Sequence, residues 1–132
     1  MASAKTILIV DDEPDALESA KTALGEIGDV TTLTASDGVT GLEKAQEAKP
    51  DLIILDVQMP NRNGFEVFTD LKKDPATRDI PVMMLTGIAD KVGIGFSAED
   101  MGEYMGTEPN AYLEKPIDPI ELQKTAARLL GL

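Results

Sequence analysis

Five short runs of apolar and β-branched residues recur along the chain: Thr6–Val10 (TILIV), Val30–Thr34, Leu52–Leu55 (LIIL), Pro81–Leu85 (PVMML) and Ala111–Leu113. Several are continuous rather than alternating, which fits strands buried on both faces and not strands of a half-solvated sheet. Between them apolar residues return at helical spacing, as Leu17, Ala20, Leu24 and Ile27, then Val39, Leu42 and Ala45, then Val67, Phe68 and Leu71, and finally Leu122, Ala126 and Leu129. These stripes predict the first, second, third and fifth helices. The fourth has a weaker signature, Ser97 with Asp100 three residues on, before Met101, Tyr104 and Met105. Asp118-Pro119 with Glu121 opens the last helix, with proline at its first position. Strand-helix alternation with crossovers of about a dozen residues predicts a parallel sheet covered on both faces, a doubly wound α/β sandwich. A chain of 132 residues is enough for one core. The expectation is a single domain over 1–132, its core spanning about 5–130, with no output domain.

Composition narrows the chemistry. Asp and Glu number 24 against 12 Lys and Arg, a formal charge of −12, which repels a phosphate backbone and argues against direct nucleic-acid binding. There is no histidine, so the usual general base, the Ser/His and Cys/His pairs and imidazole metal ligands are excluded. There is no cysteine, so disulfides and thiolate metal sites are excluded too. No run approaches the roughly 18 apolar residues of a membrane span, and the start MASAKTILIV lacks a signal-peptide pattern, so the expected location is the cytoplasm. Chemistry here has to run on carboxylates, hydroxyls and lysine.

In a doubly wound sheet, ligands bind beyond the carboxyl ends of the strands, at the switch in strand order. Those ends carry Asp11-Asp12-Glu13 after the first strand, Asp56 at the third, Thr86-Gly87 at the fourth and Lys115-Pro116 after the fifth. Each has a plain alternative: an acidic run opening a helix, a turn or cap residue, a loop hydroxyl, a solvated cation. Together they are more specific, because three convergent carboxylates repel one another unless a cation lies among them or some are protonated. Oxygen-only ligands suit Mg2+ or Mn2+. Lys115 opposite them suits a carboxylate or a phosphoryl oxygen, and the Thr86 hydroxyl suits another such oxygen.

From roughly Lys5 to Leu130 the chain resembles response-regulator receiver domains of two-component systems. The matching segments are ILIVDDEP (Ile7–Pro14), SDG (Ser36–Gly38), PDLIILDVQMPNRNGFEV (Pro50–Val67), IPVMMLTG (Ile80–Gly87) and AYLEKPIDPIEL (Ala111–Leu122). The resemblance implies a flavodoxin-like (βα)5 fold and a phosphoacceptor switch. Asp56 would take a phosphoryl group from a phosphohistidine on a sensor histidine kinase or phosphotransfer protein, with Mg2+ held by the carboxylates of Asp12 and Asp56, the backbone carbonyl of Gln58 and, through water, Asp11. Lys115 would contact the phosphoryl group, Thr86 would move inward to bond it, and Tyr112 would turn inward behind Thr86. The surface around the fourth helix, fifth strand and fifth helix would then bind an unidentified downstream protein. The resemblance implies no enzyme beyond the chain's own phosphorylation and slow autodephosphorylation. Pro60 and Gly64 would set the backbone after the third strand, and Lys115-Pro116 is a bond that the family often has cis.

Two departures stand out. Gly87 replaces the alanine usual in the family, a mild change. The stretch from Thr86 to Lys115 is several residues longer than in compact members and holds Gly87, Gly93, Gly95, Gly102 and Gly106. It predicts an enlarged connection over about 87–110, with Phe96, Met101 and Met105 either forming a partner-specific surface or lying in the core. The resemblance implies that Gln58 and Ile88 flank the path of hydrolytic water, and an apolar side chain cannot orient that water. The aspartyl phosphate is therefore expected to outlive that of an Ile88→Glu variant, a comparison that acid-quenched phosphate release would check. Two alternatives are weighed: a degenerate receiver serving as an unphosphorylated scaffold, and a haloacid-dehalogenase-type phosphatase. The latter wants an aspartate where Gln58 stands.

Overall fold

All five apolar runs are strands of one parallel sheet in the computed structural model, which describes residues 4–57, 64–86, 109–115 and 117–132. The strands are β1 (Lys5–Val10), β2 (Val30–Ala35), β3 (Leu52–Asp56), β4 (Val82–Thr86) and β5 (Ala111–Glu114), in the order β2-β1-β3-β4-β5. Among the described residues the helices are α1 (Pro14–Leu24), α2 (Gly38–Ala48), α3 (Gly64–Lys73) and α4 (Pro119–Leu130), α4 being the last of the predicted helices. The expected fourth helix, with Phe96, Met101 and Met105, lies outside the described residues, as do Gln58, Pro60, Gly87, Ile88 and Pro116.

The continuous apolar runs divide between two cores, because successive strand side chains point to opposite faces. Ile7, Ile9, Leu52, Ile54, Met83, Leu85 and Leu113 face one side and pack with α1 and α4. Leu8, Val10, Ile53, Leu55, Val82 and Met84 face the other, with α2 and α3. Every position of β3 and of β4 is buried, which explains their uninterrupted hydropathy.

The helices start and stop where local chemistry directs. Asp37 caps α2 by accepting from the Thr40 N–H at 2.8 Å, and Asp118 caps α4 by accepting from the Ile120 N–H at 2.9 Å, with Pro119 behind it. Gly131 ends α4 at φ 76°, a left-handed turn that glycine adopts without strain. Across the helix pair, the Gln123 side-chain amide donates to the Ala23 carbonyl at 2.9 Å and to Glu26 at 3.0 Å, fixing α4 against the end of α1.

The predicted face of α2 needs correction. Val39 is 45% exposed; Ala45 is buried and Leu42 packs against the core as expected, but it is Gly38 and Gly41 that complete the buried face. A Cβ on Gly41 would come within 2.8 Å of a Val10 methyl, so α2 rests its backbone directly on β1. Ile27 also lies beyond α1, which ends at Leu24.

Candidate functional site

Register brings the strand-end residues together. In the sheet Val10 lies beside Leu55, Asp56 beside Leu85, and Thr86 beside Glu114. The first residues past these pairs continue the ladder: Asp11 N–H donates to Ala35, Val57 N–H to Leu85 and Lys115 N–H to Thr86, at 3.0, 3.0 and 2.7 Å. Asp11, Asp56, Thr86 and Lys115 are thus held by backbone bonds at one edge, where the neighbours β1 and β3 mark the switch in strand order.

Asp11 is 1% exposed and Asp56 3% exposed, while Asp12 faces solvent. Each offers a carboxylate oxygen, and the three oxygens lie within 4.8 Å of one another. The Lys115 ammonium answers them, 3.1 Å from Asp11 Oδ2, 3.2 Å from Asp56 Oδ1 and 3.7 Å from Glu13 Oε1. The other Asp11 oxygen accepts the Glu13 N–H at 3.0 Å.

Burial and the Asp11 charge push the Asp56 carboxyl up to about 7, Asp12 adding to the rise and Lys115 opposing it. Burial alone would lower the Lys115 pKa, but the Asp11 hydrogen bond and the Asp56 and Asp11 charges outweigh it, and the net direction is upward. One lysine therefore leaves the nest of carboxylates short of positive charge. A hard divalent cation with oxygen ligands fits that deficit and that donor set. Asp11, Asp12 and Asp56 are the described residues able to hold it; Gln58 lies outside them.

Thr86 sits across from Lys115. By strand alternation Asp56 and Lys115 fall on the α1 and α4 side of the sheet, with Ile54 and Leu113, whereas Thr86 falls on the α2 and α3 side, with Met84. Thr86 is buried (1% exposed), and its hydroxyl has no hydrogen-bond partner among the described residues. A buried hydroxyl without a partner is costly and uncommon. Tyr112 is half-buried on the same face as Thr86, beside Met84 in register and one diagonal step from Thr86.

Gly64 lies against the backbone of Asp56. Its N–H donates to the Val57 carbonyl at 2.8 Å, and a Cβ there would be 2.4 Å from the Asp56 carbonyl oxygen. The start of α3 and the end of β3 approach more closely than a side chain permits. Sequence reasoning took Glu13 only as part of a helix-opening run and missed its approach to Lys115. No local signal marks a pairing between residues so distant in the chain.

The family model for the response regulator receiver domain matches residues 7–127. An uncharacterized response regulatory protein of Vibrio vulnificus is 37% identical over 127 residues, covering 94% of this chain and 47% of the relative. Response regulator PleD of Caulobacter vibrioides is 41% identical over 123 residues, covering 88% of this chain and 24% of the relative. This chain thus spans about half or less of the length of the curated relatives it matches. Among solved structures, chemotaxis response regulator CheY4 of Vibrio cholerae superposes with a TM-score of 0.80 at 30% identity, covering 96% of this chain and 99% of that one.

Proposed function

The chain belongs to the response regulator receiver domain family of two-component signalling, and on that premise we propose that Asp56 is its phosphoacceptor and Lys115 and Thr86 its phosphoryl ligands. The observation carrying this reading is the unpartnered Thr86 hydroxyl across the sheet edge from a lysine-bound aspartate. The donor is a phosphohistidine on a sensor histidine kinase or phosphotransfer protein. The donor's P–N bond breaks, its electron pair returning to the imidazole, and a P–O bond forms to an Asp56 oxygen.

Each residue has a separable task. Asp56 must be ionised to attack, and Lys115 favours that state. Once the phosphoryl group is in place, Lys115 transfers its hydrogen bonds from carboxylate to phosphoryl oxygen, and Thr86 donates the bond it otherwise lacks. Mg2+ at Asp11, Asp12 and Asp56, when bound, supplies charge stabilisation for the transferring oxygens. The movement of Thr86 opens space that Tyr112 enters, altering the surface beside β5 and α4 where a downstream protein binds. The phosphatase alternative has the family match against it.

The test is incubation with acetyl phosphate and Mg2+, read by intact mass and peptide mapping. One phosphoryl group is expected on Asp56, its uptake reduced by orders of magnitude under a chelator. Modification elsewhere, or none, overturns the reading. Thr86→Ala is expected to accept the phosphoryl group yet lose most of the change that phosphorylation produces in the Tyr112 ring resonances. An unaltered Tyr112 response would separate Thr86 from the switch.

A further inference from the structure

Resting on the reading of Asp56 as acceptor, we propose that Glu13 selects the phosphodonor, repelling small dianionic donors from the site and so favouring a phosphoryl group delivered on a protein. Glu13 occupies the N-cap position of α1, where Ser, Thr, Asp or Asn would bond the helix N–H groups, and its side chain makes no capping bond. The carboxylate has no local structural duty. It is 66% exposed and reaches toward Lys115, with Oε1 3.7 Å from Nζ. It stands with Asp11 and Lys115 at the mouth of the groove between α1 and α4.

That placement has two electrostatic effects of the same sign. Lys115 is already bound to Asp11 and Asp56, and Glu13 takes part of the remaining attraction that a phosphoryl oxygen needs. Glu13 also adds a negative charge on the donor's approach, on a chain whose net charge is −12. The penalty grows with the donor's charge and fades with salt. A protein donor offsets it with contacts remote from the reacting atoms.

The experiment compares phosphorylation rates of the whole chain with acetyl phosphate, a dianion at neutral pH, and with phosphoramidate, of lower net charge. In the acetyl phosphate reaction an Asp56 carboxylate oxygen forms the new bond to phosphorus while the donor's acyl P–O bond breaks and acetate departs. At low ionic strength Glu13→Gln is expected to raise the acetyl phosphate rate roughly three- to fivefold, and Glu13→Lys about tenfold. The phosphoramidate rate should rise less, and high salt should erase the differences. The melting temperature should be unchanged in Glu13→Gln. Glu47→Gln, at the far end of α2, should leave both rates at the wild-type value. Equal acetyl phosphate rates in wild type and Glu13→Gln overturn the inference alone, as does an equal rise in Glu47→Gln. No uptake by wild type from either donor overturns the reading of Asp56 and this inference with it.

Discussion

Replacing Asp56 with asparagine is expected to abolish phosphoryl uptake and, at pH 8, to make the protein more stable than wild type. The carboxyl ionises near 3.8 when unconstrained and near 7 in the folded chain, where burial and the Asp11 charge disfavour the anion. Below about pH 4 it is protonated in both states and carries no penalty. Between the two values the folded chain holds a proton that the unfolded chain releases. As pH rises through about 7 the folded carboxyl must also ionise, and its contribution to stability is lost. Asparagine has no such titration. The advantage of Asp56→Asn should therefore be absent near pH 4, grow with pH and level off above about 8. At about 1.4 kcal/mol per pKa unit the ceiling is about 4 kcal/mol, and solvent at the mouth of the site brings the expected gain to about 2 kcal/mol. Denaturant melts of both proteins at pH 4, 6 and 8 would measure it; a gain independent of pH would contradict the assignment. Added Mg2+ should stabilise wild type more than Asp56→Asn, since the variant lacks one of the three carboxylates.

Gly64→Ala is expected to cost about 2 kcal/mol of stability and to slow phosphorylation. Alanine normally favours a helix over glycine by about 1 kcal/mol. Here the added methyl would lie 2.4 Å from the Asp56 carbonyl oxygen and 2.9 Å from the Val57 Cα, and both obstacles are backbone. Overpacking of that kind costs about 1–3 kcal/mol, so sterics outweigh propensity. Relief requires α3 or the acceptor to move. Gly25→Ala supplies the contrast: its Cβ would meet the Lys21 carbonyl oxygen at 3.4 Å and that of Thr22 at 3.7 Å, ordinary contacts, in a right-handed helical backbone conformation. That change should be neutral or slightly stabilising. Chemical denaturation of both variants, with acetyl phosphate uptake for Gly64→Ala, checks the pair.

The sheet was legible because two covered faces force continuous apolar runs, and Ile7–Val10 and Leu52–Leu55 have no other economical explanation. The convergence of Asp11, Asp56, Thr86 and Lys115 followed from strand ends sharing one edge. What hydropathy missed were surfaces made by the absence of a side chain. Glycine carries no apolar signal, so the buried face of α2 at Gly38 and Gly41 was hidden behind the more conspicuous Val39. Glu13 was hidden for a different reason. Its sequence neighbours account for it as a helix opener, and only the return of β5 brings Lys115 within reach.

The two-sided sheet has a consequence for how a signal is distributed. It is a partition: among the described residues, the core under α1 and α4 and the core under α2 and α3 share no side chains across it. At the edge, the two residues proposed to hold the phosphoryl group belong to different compartments, Lys115 to the first and Thr86 to the second. They are joined by the backbone bond from the Lys115 N–H to the Thr86 carbonyl. A phosphoryl group on Asp56 would thereby be felt in both compartments at once, and a substitution deep in either is expected to tune its own branch while leaving the other intact.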